Sequence, residues 1–197
     1  TCALPILSTA QNNIAKKADA SALQDLRNTV TSQGGDLTAA NSSITSLQAS
    51  MNRRTVFTVT ARGNGNSVTP GVFDESGKNL FSPGRSWALV TFAKQSDGSA
   101  VIATSKTYDV FGSANNGDTM SADIGALTSG TYVCVLTFDE PTGNRGKVLS
   151  ALESLGGTSE VVNSLPYRGA YILLGRKGMK PGDGLELRAP TGGDGTA

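Results

Sequence analysis

Four acidic side chains, Asp109, Asp139, Glu140 and Glu153, have the only claim to reaction chemistry in this sequence. Histidine is absent, which removes the usual proton shuttle and the commonest metal ligand. A hydrolase built on this chain would therefore run on carboxylates alone, and no nucleophile, base or metal-ligand constellation accompanies them. Of the two cysteines, Cys134 sits inside the apolar run TYVCVLTF and reads as a buried core thiol. Cys2 is remote from it, so no bridge between them is expected. The glycine-rich stretch GNGNSVTPG is not followed by the helix that a phosphate-cradling loop requires. The expectation is a protein that is not an enzyme and uses no cofactor and no metal.

The elements available for positioning side chains begin with one long helical pattern. Leu23, Leu26, Val30, Gln33, Leu37, Ala40, Ile44, Leu47 and Met51 follow one another in alternating steps of three and four. That is a heptad seam, narrower than the apolar stripe of a helix packed on its own domain, and it calls for partner helices. The remaining positions are rich in Ser, Thr, Asn and Gln and include Gly34 and Gly35, all poor helix formers. Gln33 would place a ring of amides on the axis, a device that fixes register and oligomer state. The sequence predicts a coiled-coil stalk over 23–52, drawing its stability from association. Residues 1–22 read as a connecting segment: Pro5 blocks an early helix, and the register breaks near Ala20. The abrupt start at Thr1-Cys2-Ala3 suggests a piece of a longer polypeptide.

After Asn52 the texture changes to strands punctuated by glycine. TVFTVTARG alternates with period two, GVFDESGKNLF reads as a hairpin turning at Glu75 to Lys78, and RSWALVTFAK and AVIATSKTYDV flank another turn. NNGDTMSADIGALTSG reads as a short helix ending at Gly130, and TYVCVLTF as a strand buried on both faces. GNRGKVLSALESLGG is a helix stopped by Gly156-Gly157, AYILLGRKG a second buried strand and GDGLELRAP an edge strand. The result is a compact α/β or α+β head over 53–190, with a tail over 191–197 that has no power to pack. Net charge is +1 with no run of like charges, which argues against nucleic acid as a partner. No apolar run is long enough for membrane insertion.

Five motifs in order, PGRSWALVTF, YDVFGS, SGTYVCVLTFDEP, LSALESLGG and LPYRGAYILLGRKG, make the head similar to the ILEI/FAM3 family. This is a cytokine-like fold also found as a sugar-binding stem domain in a glycosyltransferase. Gly169 stands where the family carries an acidic residue, and the cysteines that brace its secreted members are missing, so a cytokine role is not expected. ADASALQDLRNTVTSQGGDLTAANSSITSLQASM resembles the coiled-coil repeat of phage tail tip attachment proteins, the central fibre or host-specificity family. Together the resemblances imply a homotrimer at the distal end of a virion tail, outside the cell, joined to the rest of the tail tip.

The implied function is recognition of a bacterial surface receptor, an outer-membrane protein such as a porin or transporter. Asn64, Asn66, Asn115, Asn116, Asn144 and Arg145 lie in polar, glycine-containing segments suited to variable contact surfaces. The alternative ligand is a surface glycan. By resemblance to the sugar-binding stem domain, Asp139 and Arg168 would hold a sugar, with Tyr167 as the aromatic neighbour. A carboxylate accepts from hydroxyls, a guanidinium donates to them, and a ring face stacks on a pyranose. The competing role for Asp139 and Arg168 is structural: to bond loop amides and pin two loops together.

Overall fold

A computed structural model describes residues 3–52, 54–63, 65, 67–189 and 197. The chain divides between Asn52 and Arg53 into two compact units.

The first unit is one helix, α1, Ala3–Asn52. It takes in most of the stretch expected to be a connecting segment, and Pro5 does not block it. Pro5 lies in the first turn, where its missing N–H would have had no helical partner. Along the helix, the hydroxyls of Thr29, Thr31, Thr38, Ser42, Ser43 and Thr45 each donate to the carbonyl four residues back. These bonds absorb polar groups without adding helix stability. Within the single chain Leu23, Leu26, Val30, Leu37, Ile44 and Leu47 are 51 to 64 % exposed. Among the described residues no helix is long and apolar enough to cross a membrane.

The second unit is an α+β head. In order it contains β1 (Thr58–Thr60), β2 (Gly71–Phe73), β3 (Asn79–Phe81), β4 (Ser86–Lys94), β5 (Ala100–Tyr108), α2 (Ala114–Gly125), β6 (Tyr132–Phe138), a 3-10 turn (Arg145–Lys147), α3 (Leu149–Glu153), α4 (Ser159–Asn163), β7 (Tyr171–Arg176) and β8 (Leu185–Arg188). The first three strands form a small sheet in sequence order, and the others a five-stranded sheet in the order β5-β4-β6-β7-β8. Neighbouring strands in both are antiparallel.

Period-two alternation sorts the large sheet into two buried faces. Trp87, Leu89, Val133, Val135, Tyr171 and Leu173 point to one side and pack against Met120, Ile124, Val148, Leu152, Leu155 and Val162 of the helical layer. Ala88, Val90, Cys134, Leu136 and Ile172 point to the other and pack with Ala61 and Val72 of the small-sheet layer. The apolar runs of β4 and β6 are continuous because both faces are dry. Strand β5 is an edge and correspondingly exposed.

Several local expectations need correction. Helix α2 ends at Gly125, and Gly130 (φ +90°) instead serves a turn before β6. The expected helix after Asn144 is split into the 3-10 turn and α3, and α4, capped by the Thr158 side chain, was not anticipated. The tail's last residue, Ala197, exchanges two backbone hydrogen bonds with Ala61, at 3.0 and 3.1 Å, and packs against the second core face. Residues 190–196 of that tail, and Cys2, lie outside the described residues.

The segment that follows α3 is fastened by backbone to β7 and to the turn before β8. The Leu155 carbonyl accepts from Arg176 N, and the Gly156 carbonyl accepts from Gly182 N and Gly184 N. A Cβ on Gly175 would stand 2.0 Å from the Leu155 carbonyl oxygen. Gly175→Ala should therefore destabilise the head by about 3 kcal/mol, the upper end of the overpacking range. Gly125→Ala, with open space around it, should be neutral or slightly stabilising. Urea unfolding of the two variants checks the contrast.

Candidate functional site

Antiparallel register brings four loops to one end of the large sheet. Ser86 at the start of β4 pairs with Phe138 at the end of β6, and Trp87 with Tyr108 at the end of β5. Tyr171, which opens β7, donates its N–H to Thr137 Oγ1 at 2.9 Å. Arg85, Asp109, Asp139 and Arg168 flank these strand ends and converge there. Arg62 joins them, bridging in parallel to Phe138 with its guanidinium 4.8 Å from that ring's centre.

Arg85 and Asp109 form a fork, with Nε donating to Oδ1 at 2.9 Å and Nη2 to Oδ2 at 2.5 Å. The bond from Arg85 holds the Asp109 carboxyl below the usual carboxylate range, helped by the Gly112 N–H at 3.0 Å. Around this fork the loop is tied down by amides. Asn116 Nδ2 donates to the Asp109 carbonyl and Asn144 Nδ2 to the Val110 carbonyl, both at 2.9 Å. Two of the residues expected to meet a receptor thus direct their donors inward. Asn115 is exposed on the first turn of α2, and Arg145 donates to the Leu165 carbonyl at 2.9 Å. Asn64 and Asn66 lie outside the described residues.

Asp139 and Arg168 do come together, but not as a tight pair. Arg168 Nε is 3.4 Å from Asp139 Oδ1, and neither atom has a hydrogen-bond partner although both are buried. The two loops are instead pinned by the neighbouring Glu140, which is 2 % exposed. Its Oε2 accepts from Arg168 N at 2.7 Å, and its Oε1 from Thr142 N and Oγ1 at 2.6 and 2.5 Å. The structural duty foreseen for Asp139 belongs to the next residue. Sequence reasoning singled out Glu140 only as an acid; nothing in DEP says which carboxylate turns inward.

Tyr167, 62 % exposed, stands beside this pair, with the Arg168 guanidinium 5.4 Å from its ring centre. Gly169 closes a tight turn onto the Pro166 carbonyl, and a Cβ there would meet Pro166 at 2.9 Å. Among the described residues, four that are not glycine adopt left-handed backbone: Ser86, Asp139, Asn144 and Arg168. Three lie in these loops, and Ser86 is the first residue of β4 beside them. Such conformations cost about 1 kcal/mol or more each and gather where a surface must hold one shape. Among the described residues no group of His, Cys, Asp and Glu could hold a metal ion.

Residues 85–179 match the family described as Interleukin-like EMT inducer. The head contains an ILEI-like domain. The match opens at Arg85 and takes in the strands β4 to β7 together with the loops that carry Asp109, Asp139, Glu140 and Arg168. No curated protein matches the chain.

Glu140→Ala strips partners from two backbone N–H groups and should lower the stability of the ILEI-like domain by about 3 kcal/mol. Asp139→Ala removes one loose, partly exposed ion pair and should cost under about 1 kcal/mol. Chemical denaturation separates the two.

The pH dependence follows from the carboxylates. Asp109, bonded to Arg85, and Asp123, bonded first to Lys106 and then to the Tyr108 hydroxyl, are both held below their ordinary values. Their contribution is fully present above the unfolded pKa and is lost as pH falls through the folded one. With no histidine in the chain, stability should be flat between about pH 5 and 8 and decline below about pH 4. Asp109→Asn should flatten the acid limb in a series of thermal melts.

Proposed function

We propose that this chain is the distal part of a phage tail fibre, a trimeric stalk carrying a head that binds a protein in the bacterial outer membrane. The observation that carries the reading is α1: a fifty-residue helix whose exposed apolar side chains keep heptad spacing. A helix of this composition draws its stability from neighbours, and a parallel trimer supplies them while presenting three copies of the head for summed affinity. The resemblance of the stalk to tail tip proteins and its pairing with an ILEI-like head support the assignment. So do the strained, backbone-anchored loops at one end of the sheet. The role is adhesion at the outside of the virion, without catalysis.

Leu37→Asp with Ile44→Asp should convert a trimer into monomers in light scattering, with the head's fold retained. Labelled protein should bind whole cells and lose binding when one outer-membrane protein is deleted. Binding that survives every such deletion and every truncation of the surface sugars would sink the attachment reading.

The loosely paired, partly exposed side chains of Asp139 and Arg168 beside the exposed Tyr167 ring favour a second reading, a surface glycan held at that pair. Sugar hydroxyls would bond the solvent-facing parts of the carboxylate and guanidinium, and the ring would serve as a stacking platform. Asp139→Ala with Arg168→Ala should then abolish glycan-array binding and leave the melting temperature nearly unchanged. A wild-type protein that binds no glycan on the array ends this alternative.

A further inference from the structure

At the opposite end of the large sheet, some nine residues along β4 from the candidate site, the second core face runs out of cover. The strands of the small sheet are only three residues long, and they overlie Ala88, Val90, Cys134, Leu136 and Ile172. Leu174 pairs with Leu185, so this leucine of β8 continues the same face outward. Cys134 pairs with Leu174, which places Tyr132, two residues earlier, on the same side. Tyr132, Leu174 and Leu185 are all exposed. Beside them opens a groove of about 820 Å³ walled by Phe57, Val59, Phe92 and Met179, with Phe57 and Phe92 in contact at 4.9 Å between ring centres. Contiguous large apolar groups of this kind mark an interaction surface rather than ordinary exposure.

We propose that this face is covered by the head of a second copy of the same chain. The inference rests on the trimer reading of α1. Thr55 and Phe57, which wall the groove, follow the last residue of the helix by three and five positions. Helices in a coil lie about 8–10 Å apart. Three residues reach at most about 11 Å. The three copies of Thr55 are therefore held within roughly 30 Å of one another by covalent reach alone. Each apolar face then meets the neighbouring heads at the millimolar effective concentrations typical of short tethers. An unattached partner would have to compete with that. Contact at this end also leaves the arginine and carboxylate loops at the other end open to a ligand.

Two tyrosines make the test internal. Tyr132 on the proposed contact face and Tyr167 in the candidate site are both 62 % exposed in a single head. Hydroxyl-radical labelling of the full chain, read by mass spectrometry beside light scattering, compares them. In the wild-type trimer Tyr132 should be labelled several-fold less than Tyr167. In monomeric Leu37→Asp/Ile44→Asp the two should be labelled alike. A wild-type trimer with equal labelling overturns the head contact and leaves the stalk standing. A wild-type monomer overturns both. Protection of Tyr132 that persists in the monomeric variant shows cover from within the chain and also overturns the proposal. Leu174→Lys should weaken a trimer held by this face, lowering its dissociation temperature without altering the labelling of Tyr167.

Discussion

The head depends on strand β6 (Tyr132–Phe138) being dry on both sides. Val133 and Val135 face the helical layer, and Cys134 and Leu136 the small sheet, all of them buried. A strand with two apolar faces can sit only in the middle of a sheet, with one layer packed above and another below. The rest of the architecture follows: α2, α3 and α4 on one side, β1 to β3 on the other, and the more exposed β5 relegated to an edge. The Cys134 thiol shares this dryness, which pushes its pKa up to about 12 and leaves it a packing group rather than a nucleophile.

The same centrality organises the loops. Because β6 lies between β4 and β7, the residues just past its end meet the segments that precede both neighbours. Asp139 and Glu140 therefore fall among Arg85, Arg62 and Arg168, with no motif spanning them in sequence. Two adjacent carboxylates then divide the work. Glu140 is buried and bonds backbone, which makes it architecture; Asp139, turned aside by its left-handed backbone, keeps an oxygen without a donor. A partly solvated ion pair at 3.4 Å adds little stability, so these loops owe their shape to main-chain bonds rather than to opposite charge.

How much could be read from the residues alone depended on whether the signal was local. The heptad steps from Leu23 to Met51 and the unbroken run of β6 are local, and both emerge as a helix and a central strand. The hairpin at Glu75 to Lys78 is local too, and Asp74 closes it through Ser76 N and Lys78 N. Pro5 misled because proline's meaning depends on distance from the helix start, which the sequence does not mark. The Arg85–Asp109 fork spans a separation of 24 residues and exists only because β4 and β5 pair in one register. The pairing of Ala197 with Ala61 is equally non-local, and nothing in TGGDGTA announces it.

The loops at the candidate site are tied by groups that do not vary with the side chains they display. Glu140 holds the N–H of Arg168, Asn144 the carbonyl of Val110, Asn116 that of Asp109, and Arg145 that of Leu165. Each of these bonds ends on main chain, which every substitution at that position except proline preserves. Tyr167, Asn115 and the guanidinium of Arg168 are thereby uncoupled from the scaffold that presents them. If the loops meet a receptor as proposed, single exchanges at the displayed positions would alter that contact, with few of them exacting a compensating change in the fold. That tolerance would be a consequence of where the hydrogen bonds terminate.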